Sequence, residues 1–187
     1  MDIIRTKEPT TEAVSLKDVK DYLRVEHDDE DNQITTMMYA ATALIEKYLN
    51  RSIITQTWQL TVKRYPVCNN IKLLYGPIQS ITSVTSNLSD NTQSAMPKTD
   101  YILTGKDQSP RVTLGYSKVW PTATLQPRDG VVIEYITGYG DVADDVPVNI
   151  RQGLLATIAS MYEDRETGTE LSGSVKGLIS NQKIYTF

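Results

Sequence analysis

Four carboxylates and the chain's one histidine stand together in His27-Asp28-Asp29-Glu30-Asp31. Oxygen ligands and an imidazole this close are the raw material of a divalent-cation site. The run lacks the glycine and the distal glutamate of an EF-hand loop, however. It also falls just before a long segment of helical periodicity, where carboxylates complement the positive end of a helix, so capping is the preferred reading. Asp141, Asp144 and Asp145 form a second acidic group. Asp144 and Asp145 precede Val146-Pro147, and proline in a first helical turn with aspartates beside it reads as a helix start. Cys68, the sole cysteine, would have only His27 to activate it. No Cys/His zinc spacing, P-loop, G-x-G-x-x-G or G-x-S-x-G is present. Gly138-Tyr139-Gly140 opens onto an acidic turn that would repel phosphate, and Glu134 alternates within a strand pattern as a solvated-face residue. The expectation is therefore no catalytic constellation, no cofactor and no metal: not an enzyme, but a protein that acts through surfaces.

The elements that would present those surfaces centre on residues 31–58. Ile34, Met37, Met38, Ala41, Leu44, Ile45, Tyr48 and Leu49 recur at three- and four-residue steps and predict a helix over 31–50. The β-branched run Ile53-Ile54-Thr55 ends it, and from residue 55 to 63 the period is two. Ser15 as N-cap with Leu16, Val19, Tyr22 and Leu23 predicts a short helix over 16–24. Ile150, Leu154, Ile158, Met161 and Tyr162 predict another over 147–165. Between the second and third helices, strands are expected at 55–63, 71–75, 79–85, 101–104, 111–114 and 131–137, punctuated by turn residues in the manner of a small antiparallel barrel or sandwich. The fold class is thus α+β, a small helical bundle with an inserted antiparallel β subdomain. Residues 1–13 are expected as a flexible arm, 14–166 as one domain with the β insertion at about 55–140, and 87–98 as a mobile loop. Residues 167–187 either fold back on their own domain or dock on a partner through Val175, Leu178, Ile179, Ile184, Tyr185 and Phe187.

Composition narrows the function classes. Net charge is −4, and Lys63-Arg64 is the nearest approach to a basic cluster, which argues against free-standing nucleic-acid binding. No apolar run is long enough for a membrane span, and no signal peptide is expected at the N-terminus. One cysteine precludes an internal disulfide and suits synthesis in a reducing cytoplasm. Eleven tyrosines against one phenylalanine suit wet interfaces, though tyrosines serve cores as well.

The order of motifs resembles the head–tail connector (adaptor) family of long-tailed bacteriophages, also labelled phage DNA-packaging proteins. The pieces run from Val14-Ser15-Leu16-Lys17-Asp18-Val19 and Tyr22-Leu23-Arg24-Val25, through Ile45-Glu46-Lys47-Tyr48-Leu49-Asn50-Arg51, Gln56-Thr57-Trp58 and the Tyr65-Pro66 break. They continue with Tyr75-Gly76-Pro77-Ile78, Tyr101, Trp120-Pro121, Tyr135-Ile136-Thr137-Gly138-Tyr139-Gly140, Val146-Pro147 and Tyr162-Glu163-Asp164-Arg165-Glu166. The resemblance implies a virion structural protein, made in the bacterial host cytoplasm and placed at the head–tail junction. Its partners would be further copies in a ring (dodecameric in the virion), the portal, and a head-completion or tail protein, with DNA passing through the channel without specific binding. A transient packaging accessory, a tail-completion protein and, less favoured, a small metal-dependent enzyme are the rivals. Ring contacts are head-to-tail and need two different patches per subunit. These patches are placed on the polar faces of the 31–50 and 147–165 helices, with Lys47 and Glu163 or Arg165 setting register; Arg51 and, in the C-terminal arm that would dock on a neighbouring subunit or a partner, Val175, Leu178, Ile179, Tyr185 and Phe187 are further interface candidates. On this view a chain truncated after Arg165 is folded but fails to join the portal.

Overall fold

The computed structural model describes residues 1–164 and 170–184. Arg165, Tyr185 and Phe187 lie outside the described residues. The chain is α+β and divides into two compact units: Met1–Glu8 with Thr55–Gly138, and Pro9–Ile54 with Tyr139 onward.

The second unit is a helical bundle. Helix α1 (Leu16–Leu23) begins at Ser15, whose hydroxyl accepts the Asp18 amide at 3.1 Å. Helix α2 (Asp31–Leu49) ends at Asn50, which takes the left-handed conformation (φ 54) that asparagine tolerates at a helix C-terminus. Helix α3 (Val148–Glu163) follows Pro147. Ile34, Met38, Ala41, Ile45 and Leu49 of α2 and Ile150, Leu154 and Ile158 of α3 form one buried cluster, as their spacing dictates.

A fourth helix, α4 (Gly173–Ile179), lies in the stretch whose role the sequence left open. Ser172 caps it by accepting the Val175 amide. Leu171, Val175 and Ile179 enter the same core, so residues 170–184 fold back on their own unit. Gly153 makes this approach possible. A Cβ there would stand 3.0 Å from Ile179 Cγ2 and 3.6 Å from Val175 Cγ1. Gly153→Val is therefore expected to cost about 1–3 kcal/mol by overpacking, whereas Gly177→Ala, with open space around its Cβ, should gain up to about 1 kcal/mol of helix propensity. Urea unfolding of the two variants reads the opposite signs, and equal shifts would contradict the packing.

The first unit is a β sandwich. Its strands are β1 (Asp2–Lys7), β2 (Gln56–Val62), β3 (Asn70–Lys72), β4 (Ile78–Asn87), β5 (Gln93–Ala95), β6 (Tyr101–Thr104), β7 (Arg111–Leu114) and β8 (Val131–Thr137). A five-stranded antiparallel sheet runs β1-β2-β8-β4-β5 and a three-stranded one β3-β7-β6. Leu60, Val84, Ile133 and Tyr135 from the larger sheet meet Ile71, Tyr101, Val112 and Leu114 from the smaller in one core. The other face of the large sheet is polar, carrying Gln59, Thr61, Ser83, Thr85 and Glu134, as alternation requires.

Two expectations need correction. The N-terminal stretch read as a flexible arm forms β1, hydrogen-bonded along β2, with Arg5 bonded to Gln56 and set over the Trp58 ring at 5.7 Å. Within the loop expected to be mobile, Asp90 Oδ1 accepts both the Thr92 amide and hydroxyl, and Asn91 takes a left-handed φ of 66. That tight turn, stabilised by a side chain mimicking backbone, brings β5 back onto β4.

Candidate interaction surfaces

Of the acidic residues that opened the question of chemistry, Asp28, Glu30, Asp31, Asp144 and Asp145 are engaged in structural roles. Lys20 Nζ bridges Asp28 Oδ1 at 2.5 Å and Asp31 Oδ1 at 2.8 Å, tying α1 to the start of α2. Glu30 accepts the Tyr162 hydroxyl at 2.5 Å. Asp144 pairs with Arg151 at 3.0 Å, and Asp145 accepts the Val142 amide. Among the described residues no three His, Cys, Asp or Glu side chains group so as to hold a metal ion. Cys68 is exposed, its thiol directed at the Asn70 carbonyl, and belongs to the first unit, whereas His27 belongs to the second.

The hydrogen bond from Lys20 holds the Asp28 carboxyl below the usual carboxylate range, and the same bond raises Lys20. A depressed carboxylate contributes stability that is full above its unfolded pKa, about 3.9, and is lost as pH falls through the lower folded value. Asp28→Asn is therefore expected to remove a small acid-side loss of melting temperature below about pH 4. The difference between variant and parent should fade with added salt, because the Asp28 carboxylate faces solvent. Thermal melts across that pH range check it, and a difference insensitive to both salt and pH would overturn it.

The sequence-assigned interface residues are placed unequally. Lys47 and Glu163 are exposed, and Leu178 is 43% exposed on the outer side of α4. Arg51, by contrast, is 2% exposed. Its Nε donates to the Gln182 carbonyl and its guanidinium lies 6.0 Å from the Tyr139 ring centre. Val175 and Ile179 are core residues at 4% and 0% exposure. These three are spent inside their own unit, because α4 needs an apolar seat and Arg51 satisfies the carbonyl that follows it. Around Arg51, Asn50 donates to the Ile184 carbonyl, the Ile184 amide donates to Leu49, and Lys183 sits 4.2 Å from the Tyr48 ring centre.

One surface escaped the sequence reading. In the first unit, Tyr65 stacks on Trp120 at 4.8 Å, and the indole Nε1 donates to the Cys68 carbonyl at 2.9 Å. An open cleft of about 550 Å³ lies beside this stack, between Lys63-Arg64-Tyr65 and residues 121–127. Lys63-Arg64 and Trp120-Pro121 are visible as separate motifs; that they converge is a tertiary fact.

A helical bundle with an antiparallel sandwich inserted between its second and third helices makes this an α+β protein. The chain belongs to the head completion protein family, whose model matches residues 12–152. Its structure is similar to a chain of the virion of a native gene transfer agent particle (TM-score 0.84, 20% identity, covering 100% of this chain and 97% of that one). It is also similar to chains from the neck of the empty particle computed with C6 symmetry (0.86, 19%, 100% and 97%) and of the native particle computed with C12 symmetry (0.83, 19%, 100% and 97%). At these identities the likeness bears on the fold. No curated protein sequence matches the chain.

Proposed function

We propose that this chain is a structural component of the head–tail junction of a phage-like particle. Copies of it form a ring beneath the portal, extend the DNA channel, and offer a docking surface to a head-completion or tail protein. The observation that carries the reading is membership of the head completion family over residues 12–152. A full-length fold shared with neck components of a particle computed with C6 and C12 symmetry supports it. A net charge of −4 suits a channel wall along which DNA slides without being held. The work is done by surfaces rather than by catalysis. Exposed Lys47, Glu163 and Leu178 are offered as contact residues between copies.

Negative-stain electron microscopy of the purified protein, alone and mixed with the portal encoded by the same phage genome, tests the reading. Rings, or an added collar on the portal, are the expected result. Monomers beside bare portals would overturn it.

A further inference from the structure

The cleft beside the Tyr65–Trp120 stack has the chemistry of a site for an acidic protein segment. Lys63 and Arg64 are the only charged residues lining it, and no carboxylate does. Among the described residues neither cation has an ion-pair partner. In a chain of net charge −4 this is a local reversal of sign. Pro121, Leu125 and Pro127 give it apolar walls. Its shape is fixed from behind by the stack, by the Trp120–Cys68 hydrogen bond, and by the Tyr65 hydroxyl bonded to Ser86 at 2.8 Å. The same loops hold Val67 fully exposed, Tyr116 at 99% and Val119 at 77%. Their backbone is tied down by the Gly115–Asp100 and Lys118–Gly115 hydrogen bonds and by the Lys118–Asp100 ion pair at 2.6 Å. Large apolar side chains held in the open on an ordered loop mark a protein contact.

The complementary segment is in the chain itself. Between α1 and α2, residues 26–29 are all exposed. Glu26 and Asp29 have no ion-pair partner among the described residues. The linker is ordered at its base, where the Val25 amide donates to Lys20 and Lys20 holds Asp28.

We infer that the Lys63–Arg64 cleft of one copy receives the acidic 26–29 linker of the next copy. The inference rests on the ring reading above and supplies the two unlike patches that a head-to-tail contact requires. Duplex DNA is the poorer occupant: two cations neutralise few phosphates, and the protein's net charge of −4 opposes the remaining backbone.

Sedimentation of the full chain at low and high salt, together with charge reversal, tests the contact. The wild type should self-associate with concentration and lose association as salt screens the patches. Lys63→Glu with Arg64→Glu should weaken association by at least about tenfold, and Glu26→Lys with Asp29→Lys should do the same. Mixing the two variants should restore hetero-association, since each retains one native patch and the reversed patches also match. All four positions are exposed, so unchanged melting temperatures are expected and separate lost contact from lost fold. Asp29→Cys adds a covalent reading, because Cys68 follows exposed Val67 beside the cleft. Cross-linking should give a ladder beyond dimer, as unlike patches propagate whereas a Cys68–Cys68 contact stops at two. Cleft variants that still form rings or collars would overturn the inference and leave the ring reading standing. A wild type that forms neither would overturn both. A cleft that binds duplex DNA in a Lys63- and Arg64-dependent way, without binding a peptide of the linker, would overturn the inference in favour of nucleic acid.

Discussion

A chain ending at Asp164 is expected to lose most of the stability of its helical unit. This reverses the expectation that truncation after Arg165 leaves the fold intact. Leu171, Val175, Ile179 and Ile184 are buried to 6% exposure or less, and burial of one such side chain contributes about 1.5–3 kcal/mol. Their joint loss approaches the about 5–15 kcal/mol that separates an ordinary domain from its unfolded state. Polar consequences add to it. Arg51 would lose the Gln182 carbonyl, Asn50 and Leu49 would lose their Ile184 bonds, and the closely packed face around Gly153 would open to water. Urea unfolding and limited proteolysis should show the truncated chain melting far below the parent. In the full chain, Ile179→Ala should lose about 2–5 kcal/mol and Val175→Ala, which removes fewer atoms, less than that, which guards against a truncation that simply aggregates. A truncated chain with the parental midpoint would mean that α4 is an ornament on a self-sufficient bundle.

What the sequence conveyed and what it concealed follows from where each element draws its stability. The three long-range stripes were legible because α1, α2 and α3 each bury one face, and the burial shows as period. Strands β6, β7 and β8 were found at their observed bounds for the same reason; β8 alternates Val131, Ile133, Tyr135 and Thr137 inward. β1 gave no such signal. Five of its six residues are exposed, and its bonding partner β2 lies some fifty residues on, so neither local period nor local propensity marks it. For α4, the glycines at 173 and 177 argued against a helix, yet Leu171, Val175 and Ile179, four residues apart, were a readable stripe. Its helix persists because the core pays for it. Charged residues are seldom buried, so the burial of Arg51 is not a feature that its sequence announces. Nothing in the local sequence foretells that Gln182 and Tyr139 would enclose it. The cleft is hidden in the same way: its walls come from segments nearly sixty residues apart.

Tyr135→Ala is expected to cost about 3–5 kcal/mol, the range for losing a large buried aromatic, and Tyr135→Phe only about 1 kcal/mol. Tyr135 is fully buried on the central strand of the larger sheet, opposite Trp58 on β2 and Ile81 on β4. Trp58 is itself stacked on Tyr75 at 4.3 Å, so a cavity at 135 removes the backing of an aromatic layer as well as the contacts of one ring. The hydroxyl donates to the Leu74 carbonyl at 3.2 Å, a neutral bond whose loss accounts for the smaller figure. Burial also pushes the Tyr135 phenol well above its ordinary range. The folded state therefore resists the ionisation that the unfolded chain undergoes near pH 10. Stability from this group is full below that pH and is lost as pH rises toward the folded value. Tyr135→Phe should accordingly lower the midpoint modestly at neutral pH while flattening the alkaline limb of the stability curve, and Tyr135→Ala should lower it steeply throughout. Urea midpoints measured from neutral pH to above about pH 10 distinguish the two. If the Phe variant keeps the full alkaline limb, the titration belongs to other buried phenols, such as Tyr65 and Tyr101, which burial raises as well.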